Sequence, residues 1–211
     1  MNSVYKLPQD ANGEHHIHWK TGIRVLAISE SFRKGDTYSY VAGVVMRGDL
    51  RIDGFSFCRP TVGGSDATEK VLGLYRTLNR QDLRAWLLGG SIISWFNTID
   101  IHQLLRETKL PVVCVSYWPS EGLEKYVREY FPQDWQNRMK TIESVGEREE
   151  IILSERFKVF ITRAGMDLHS ARSLVNHFTR DGRIPEPIRV ARQLAASIRK
   201  FHLQSENSRV L

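Results

Sequence analysis

The chain has 211 residues, 41% hydrophobic and 26% charged, the make-up of one globular domain with a sizeable core. Its 30 Lys+Arg against 24 Asp+Glu leave a formal charge of +6, which favours an anionic partner such as nucleic acid. No apolar run approaches the ~20 residues of a membrane span, and two cysteines, Cys58 and Cys114, are too few for a disulfide framework or a zinc site. A reducing cytoplasm is therefore the expected compartment.

Residues 1–22 read as a polar arm without the apolar stretch of a signal peptide. Its histidines, His15, His16 and His18, alternate across an extended chain and do not converge on one ion. "IRVLAIS" (Ile23–Ser29) is a buried strand by its apolar run. Two β-rich segments flank Arg47-Gly48-Asp49, where Gly48-Asp49 predicts a hairpin turn. In "DATEKVLGLYRTLNR", Val71, Leu74, Tyr75 and Leu78 recur at helical spacing. "LRAWLL" then reads as a strand, "TIDIHQLLRET" as a helix, "PVVCVSY" as a strand and "EGLEKYVREYF" as a helix. "EIILS" and "FKVFITRAG" predict a strand pair, and "DLHSARSLVNHF" and "EPIRVARQLAASIRKF" predict closing helices. The expected organisation is one domain over residues 23–202 with a frayed tail from 203 to 211. The order β-β-β-α-β-α-β points to an α/β, ribonuclease-H-like fold, a mixed β-sheet with helices on both faces.

Three stretches carry candidate chemistry. In "TVGGSDATEK", Gly63 and Gly64 reverse the chain, and Asp66 with Glu69 has the spacing of a capping box. A carboxylate ligand at Asp66 and a phosphate cradle stay open beside that reading, although the lysine of a phosphate loop is missing. "GGSIISWFNTIDI" leaves a strand through Gly89-Gly90 and sets Trp95, Phe96, Asn97 and Asp100 before a helix. An aromatic pair beside an asparagine can stack and read a base, and it can equally be core with Asn97 or Thr98 as a cap. In "RIPEPIRVARQLAASIRK", Arg189, Arg192, Arg199 and Lys200 fall opposite the apolar face, a line of cations able to follow a phosphate backbone or simply face solvent.

Together "TVGGSDATE", "ISWFNTIDI", "LPVVCVSY" and "IPEPIRVARQLA" resemble the endonuclease dU family, found mainly in archaea and related to endonuclease V. The resemblance runs from about Gly22 to Ile198 and implies a ribonuclease-H-like fold. It also implies magnesium-dependent cleavage of DNA near deaminated bases, deoxyuridine or deoxyinosine. Such chemistry needs carboxylates that hold Mg²⁺ and activate water. Carried over, Glu30 and Asp66 are the catalytic carboxylates and metal ligands, with Asp100 or Glu69 completing a relocated ligand set. Trp95, Asn97, Arg189 and Arg192 are the expected nucleic-acid contacts, with DNA as the polymer and RNA as the alternative. The family's remaining acids are absent, because Ser29, Gly63 and Gly89 stand in their places. Three readings follow: an endonuclease-like protein with a partly lost acidic site, an inactive nucleic-acid-binding protein, or a small-ligand or nucleotide binder.

Overall fold

The computed structural model describes residues 19–118, 122–154 and 156–207, so the expectations at His15, His16 and His18 lie outside it. The chain enters as three strands, β1 (Arg24–Ser31), β2 (Tyr40–Arg47) and β3 (Ile52–Cys58). It continues through α1 (Ala67–Leu78), β4 (Leu83–Leu88), a small ribbon of β5 (Ile92–Ile93) and β6 (Asn97–Thr98), α2 (Ile101–Thr108) and β7 (Val112–Ser116). Helices α3 (Leu123–Tyr130) and α4 (Trp135–Ser144) precede β8 (Glu149–Leu153) and β9 (Phe157–Ala164), and α5 (Leu168–His177) and α6 (Glu186–Asn207) follow.

Seven strands form one sheet in the order β3-β2-β1-β4-β7-β9-β8. The central β1, β4 and β7 are parallel, and antiparallel pairs extend the sheet on both sides. Side chains alternate along β1, so Val25 and Ala27 pack toward α5 and α6 while Leu26 and Ile28 pack toward α1 and α2. Both faces are covered, which is why the central strands are continuous apolar runs. Burying each such Val, Leu or Ile side chain favours folding by roughly 1.5–3 kcal/mol. This is the mixed sheet with helices on both faces that the element order implied. Among the described residues no helix is long and apolar enough to cross a membrane.

Local expectations needed correction at four places. The hairpin lies where Gly48-Asp49 put it, but its left-handed residue is Leu50 (φ 65°). Gly48 serves close approach instead: a Cβ there would meet the Thr21 carbonyl oxygen at 2.9 Å. The polar arm ends before residue 22, because Trp19 is buried and its Nε1 donates to the Ser170 carbonyl (3.1 Å). Helix α6 continues through Asn207, past the expected start of a frayed tail at 203. Helix α4 has no buried residue and thus no apolar stripe to betray it in the sequence.

Candidate functional site

The C-terminal ends of β1 and β4 meet the turn at 61–66, the segment 89–100 and the start of α6. A strand-end edge of this kind is where open α/β sheets place their sites. Glu30, near the end of β1, points to the α1 side. Its Oε2 accepts from the Ser39 hydroxyl (2.8 Å), the Ser94 backbone N–H (2.7 Å) and the Ser94 hydroxyl (2.9 Å). Burial pushes the Glu30 carboxyl above its ordinary value, against the pull of these hydrogen bonds. A raised value means that Glu30 contributes stability below the ordinary 4.5, lost as pH rises through the folded-state value. Glu30→Gln keeps an acceptor for the three donors and removes the charge. Urea unfolding should therefore show the variant more stable than the wild type by on the order of 1 kcal/mol at about pH 8, with the gap closing by about pH 4. A variant weaker than the wild type at the higher pH contradicts this account.

Asp66 does not cap α1. Its backbone (φ −103°, ψ 4°) is not the extended conformation of a capping residue, and its carboxylate turns back to Thr61. It accepts from the Thr61 N–H (3.0 Å), the Thr61 hydroxyl (3.0 Å) and Asn97 Nδ2 (2.7 Å). The capping role falls to Asn97, whose Oδ1 accepts from the Ala67 N–H (2.9 Å) while Nδ2 also reaches the Thr61 carbonyl (2.9 Å). Asn97 is fully buried, so in this conformation it has no open edge for a base. Glu69, the other half of the expected capping box, accepts from Gln103 Nε2 (2.7 Å).

Asp100 caps α2, its Oδ1 accepting from the backbone N–H groups of His102 and Gln103 (both 2.9 Å). Glu30, Asp66 and Asp100 are thus each engaged by their own donors. Among the described residues no group of three or more His, Cys, Asp or Glu is placed to hold a metal ion.

Between Glu30 and Asn97 the backbone turns left-handed for three consecutive residues, Ser94 (φ 46°), Trp95 (φ 55°) and Phe96 (φ 64°). Each non-glycine residue in that region costs roughly 1–2 kcal/mol, so the turn must be held from outside. Ser94 is held through Glu30, and its carbonyl accepts from the Gly63 N–H (2.7 Å). Arg138 of α4 donates to the carbonyls of Gly63 (2.8 Å), Gly64 (2.9 Å) and Phe96 (3.3 Å). The turn sets Trp95 against Tyr130 and Phe131, with ring centroids 5.3 Å away in both cases, and the Lys34 ammonium lies 4.7 Å from the Trp95 ring. Trp95 is half-buried in this aromatic cluster.

On the other sheet face, the α6 side, Ser29 and Gly89 are neighbours. A Cβ on Gly89 would lie 3.5 Å from Ser29 Oγ and 3.1 Å from Ile188 Cγ2 at the start of α6. Beyond β7 a cationic and aromatic surface follows. The Arg183 guanidinium lies 5.0 Å from the ring of Trp118, which is 70% exposed, and 5.6 Å from that of Tyr117. Burial pushes the Tyr117 hydroxyl up to about 12, and Arg192, Arg183 and Arg189 pull it down. Arg189 donates to the Asp181 carbonyl (3.1 Å), and Arg192 is exposed. Arg199 leaves the expected line of cations: it is buried and pairs with Asp36 (2.7 and 2.9 Å). Tyr117, Trp118, Arg183 and Arg138 were not singled out from the sequence. An exposed tryptophan just past a strand end was the signal available for the first three.

Residues 21–199 match the family model described as endonuclease dU. The chain belongs to the endonuclease dU family. A UPF0215 protein of Pyrobaculum aerophilum is 34% identical over 177 residues, 83% of this chain and 94% of that protein. One from Methanosarcina barkeri is 34% identical over 185 residues, 86% of this chain and 93% of its own. Among solved structures, a protein of unknown function from Archaeoglobus fulgidus superposes with a TM-score of 0.73 at 29% identity, covering 83% of this chain and 98% of that one. Endonuclease V of Ciona intestinalis, solved with a 24mer DNA containing an inosine, gives 0.56 at 15% identity, covering 84% and 86%. Endonuclease V of Bacillus subtilis gives 0.58 at 11%, covering 88% and 84%. These endonuclease V structures establish the shared ribonuclease-H-like fold. Ser29, on β1, and Gly89, just past the end of the neighbouring parallel β4, are thus adjacent in space.

Proposed function

We propose that this member of the endonuclease dU family binds DNA along the strand-end edge of an endonuclease V-like scaffold, with its metal-dependent hydrolysis crippled. The observation that carries this reading is the pairing of two neutral positions with an intact cationic surface. Ser29 and Gly89 meet where the family pattern calls for acids, and Arg183, Arg189 and Arg192 with Tyr117 and Trp118 lie on the same sheet face. The residues present do not fit a magnesium centre of the family's kind. A Mg²⁺ ion needs near-octahedral oxygen ligands, and the retained carboxylates are spent on Ser39 and Ser94, on Thr61 and Asn97, and on the start of α2. Gly63 offers no replacement, since a side chain there would be strained at φ +70° and would press on Phe131 and Trp95 at 3.3 Å. Support for DNA as the polymer comes from the DNA-bound endonuclease V relative of the same fold. Guanidinium groups hold phosphates, and an exposed indole offers a stacking face to an unpaired base.

The test uses duplexes carrying one deoxyuridine or one deoxyinosine. Fluorescence anisotropy should show binding whose logarithmic salt slope is about −2.7 if three guanidinium groups each displace a phosphate counterion. Arg183→Gln with Arg192→Gln should weaken that binding by about tenfold or more. Denaturing gels with Mg²⁺ or Mn²⁺ should show no nicking above the protein-free rate. Metal-dependent nicking abolished by Asp66→Ala would make the protein an active endonuclease instead. If neither nicking nor salt-sensitive binding occurs, the nucleic-acid reading fails.

A further inference from the structure

On the α1 and α2 side of the sheet, beside the β7–β9 pair, a cavity of about 580 Å³ opens next to the α4–β8 connection. Its size falls within the ~300–1,000 Å³ usual for small-molecule sites. Arg148 lines it together with Ser91, Phe160 and Thr162, and Glu143 and Glu147 stand at its rim. Arg148 is the unusual member. It makes no hydrogen bond or ion pair with any described residue, and the one titratable group acting on it is the buried thiol of Cys114. Burial lowers its proton affinity. Ser91 and Thr162 are buried residues whose hydroxyls also find no partner within the described chain, yet they are not sealed from the cavity. Arg148 is half-buried, so its guanidinium has given up part of its water shell without gaining a counter-charge among the described residues, and an anion entering the cavity would complete it.

We infer that this cavity is a nucleotide site, in which Arg148 holds the phosphate with the Ser91 and Thr162 hydroxyls, and Phe160 flanks the base. Arginine presents a planar fork of donors matched to phosphate oxygens. The rim carboxylates of Glu143 and Glu147 would repel a bare anion, but they can accept from an exocyclic amine, as glutamate does from a cytosine amine. The ligand that satisfies all these groups carries a phosphate at one end and an amino-bearing base at the other. The site does not rest on the DNA-binding proposal, because Tyr117 and the α6 arginines lie on the opposite face of the sheet.

Isothermal titration of the full chain with dAMP, with deoxyadenosine and with a short unphosphorylated oligodeoxyadenylate tests it. Saturable binding of dAMP, weakened at least about tenfold in the nucleoside and in Arg148→Gln, is expected from loss of a charge-assisted phosphate contact. The oligonucleotide distinguishes the source. Binding sensitive to Arg148→Gln assigns the site to a phosphate within a polymer, and its absence assigns it to a free nucleotide. Because the guanidinium is unpaired, Arg148→Met should unfold at the same or a higher urea concentration than the wild type when no ligand is present. The inference is overturned if dAMP does not bind, if the nucleoside binds as tightly, or if Arg148→Gln leaves the affinity unchanged. A failure of DNA binding at the α6 face, tested by the arginine variants there, would leave these outcomes unaffected.

Discussion

Replacing Asn97 by leucine is expected to cost about 3–5 kcal/mol of folding stability. The leucine is similar in volume but leaves the buried Ala67 N–H without a partner. It also takes one donor each from the Thr61 carbonyl, which keeps the Gly64 N–H, and from the Asp66 oxygen that keeps the Thr61 N–H. The orphaned N–H costs roughly 1–3 kcal/mol and the two lost hydrogen bonds, one of them to a carboxylate, roughly 0.5–3 kcal/mol each, the sum being less than additive because all three share one site. Urea unfolding by circular dichroism measures it. Asn97→Asp separates the donor from the acceptor. It keeps the bond to Ala67 but turns an acceptor toward Asp66 and the Thr61 carbonyl, so its loss should be largest at neutral pH and recover as one carboxylate takes a proton. A loss below about 1 kcal/mol in Asn97→Leu would show that α1 and the turn at 61–66 are held by packing alone.

The second large effect belongs to Arg199→Met, at about 3 kcal/mol, because it strands the Asp36 carboxylate. Arg199 and Asp36 have side-chain exposures of 11% and 19%, and the pair closes α6 onto the β1–β2 connection. Replacing both, Asp36→Leu with Arg199→Met, should recover most of the loss, since a buried ion pair and a well-packed apolar pair are often close in free energy. The Arg199 guanidinium holds the Asp36 carboxyl below its usual value, against desolvation. A depressed value means that this stability is present above the ordinary 3.8 and is lost as pH falls through the folded-state value. Unfolding curves should therefore show the Arg199→Met deficit shrinking as pH is lowered from neutrality toward about 2. A deficit that stays constant across that range would mean packing, not charge, holds α6 there.

The sheet and most of its helices were legible in the sequence because their signals are local and periodic. Val71, Leu74 and Leu78 mark a helix face on their own, and Val112 to Val115 mark a buried strand on their own. Helix α4 shows the limit. It buries nothing, and Arg138 bolts it to three backbone carbonyls more than 40 residues away. No periodicity encodes such a contact. The same limit explains Arg199, whose helical position put it with the solvent cations until Asp36, 163 residues distant in the chain, proved to be its partner.

The candidate site divides the same way. The sequence determined the family motifs, the residues standing at the expected acid positions and the retained Glu30 and Asp66, because these are matters of residue identity and spacing. Only the tertiary structure decided what those residues do. It gave the capping of α1 to Asn97 and turned Asp66 back onto Thr61. It set Ser29 beside Gly89 and left Arg148 without a partner among the described residues. Each of these outcomes depends on donors and acceptors brought together from distant segments. Side-chain identity limits which hydrogen bonds can form, and the packing of the sheet selects among them.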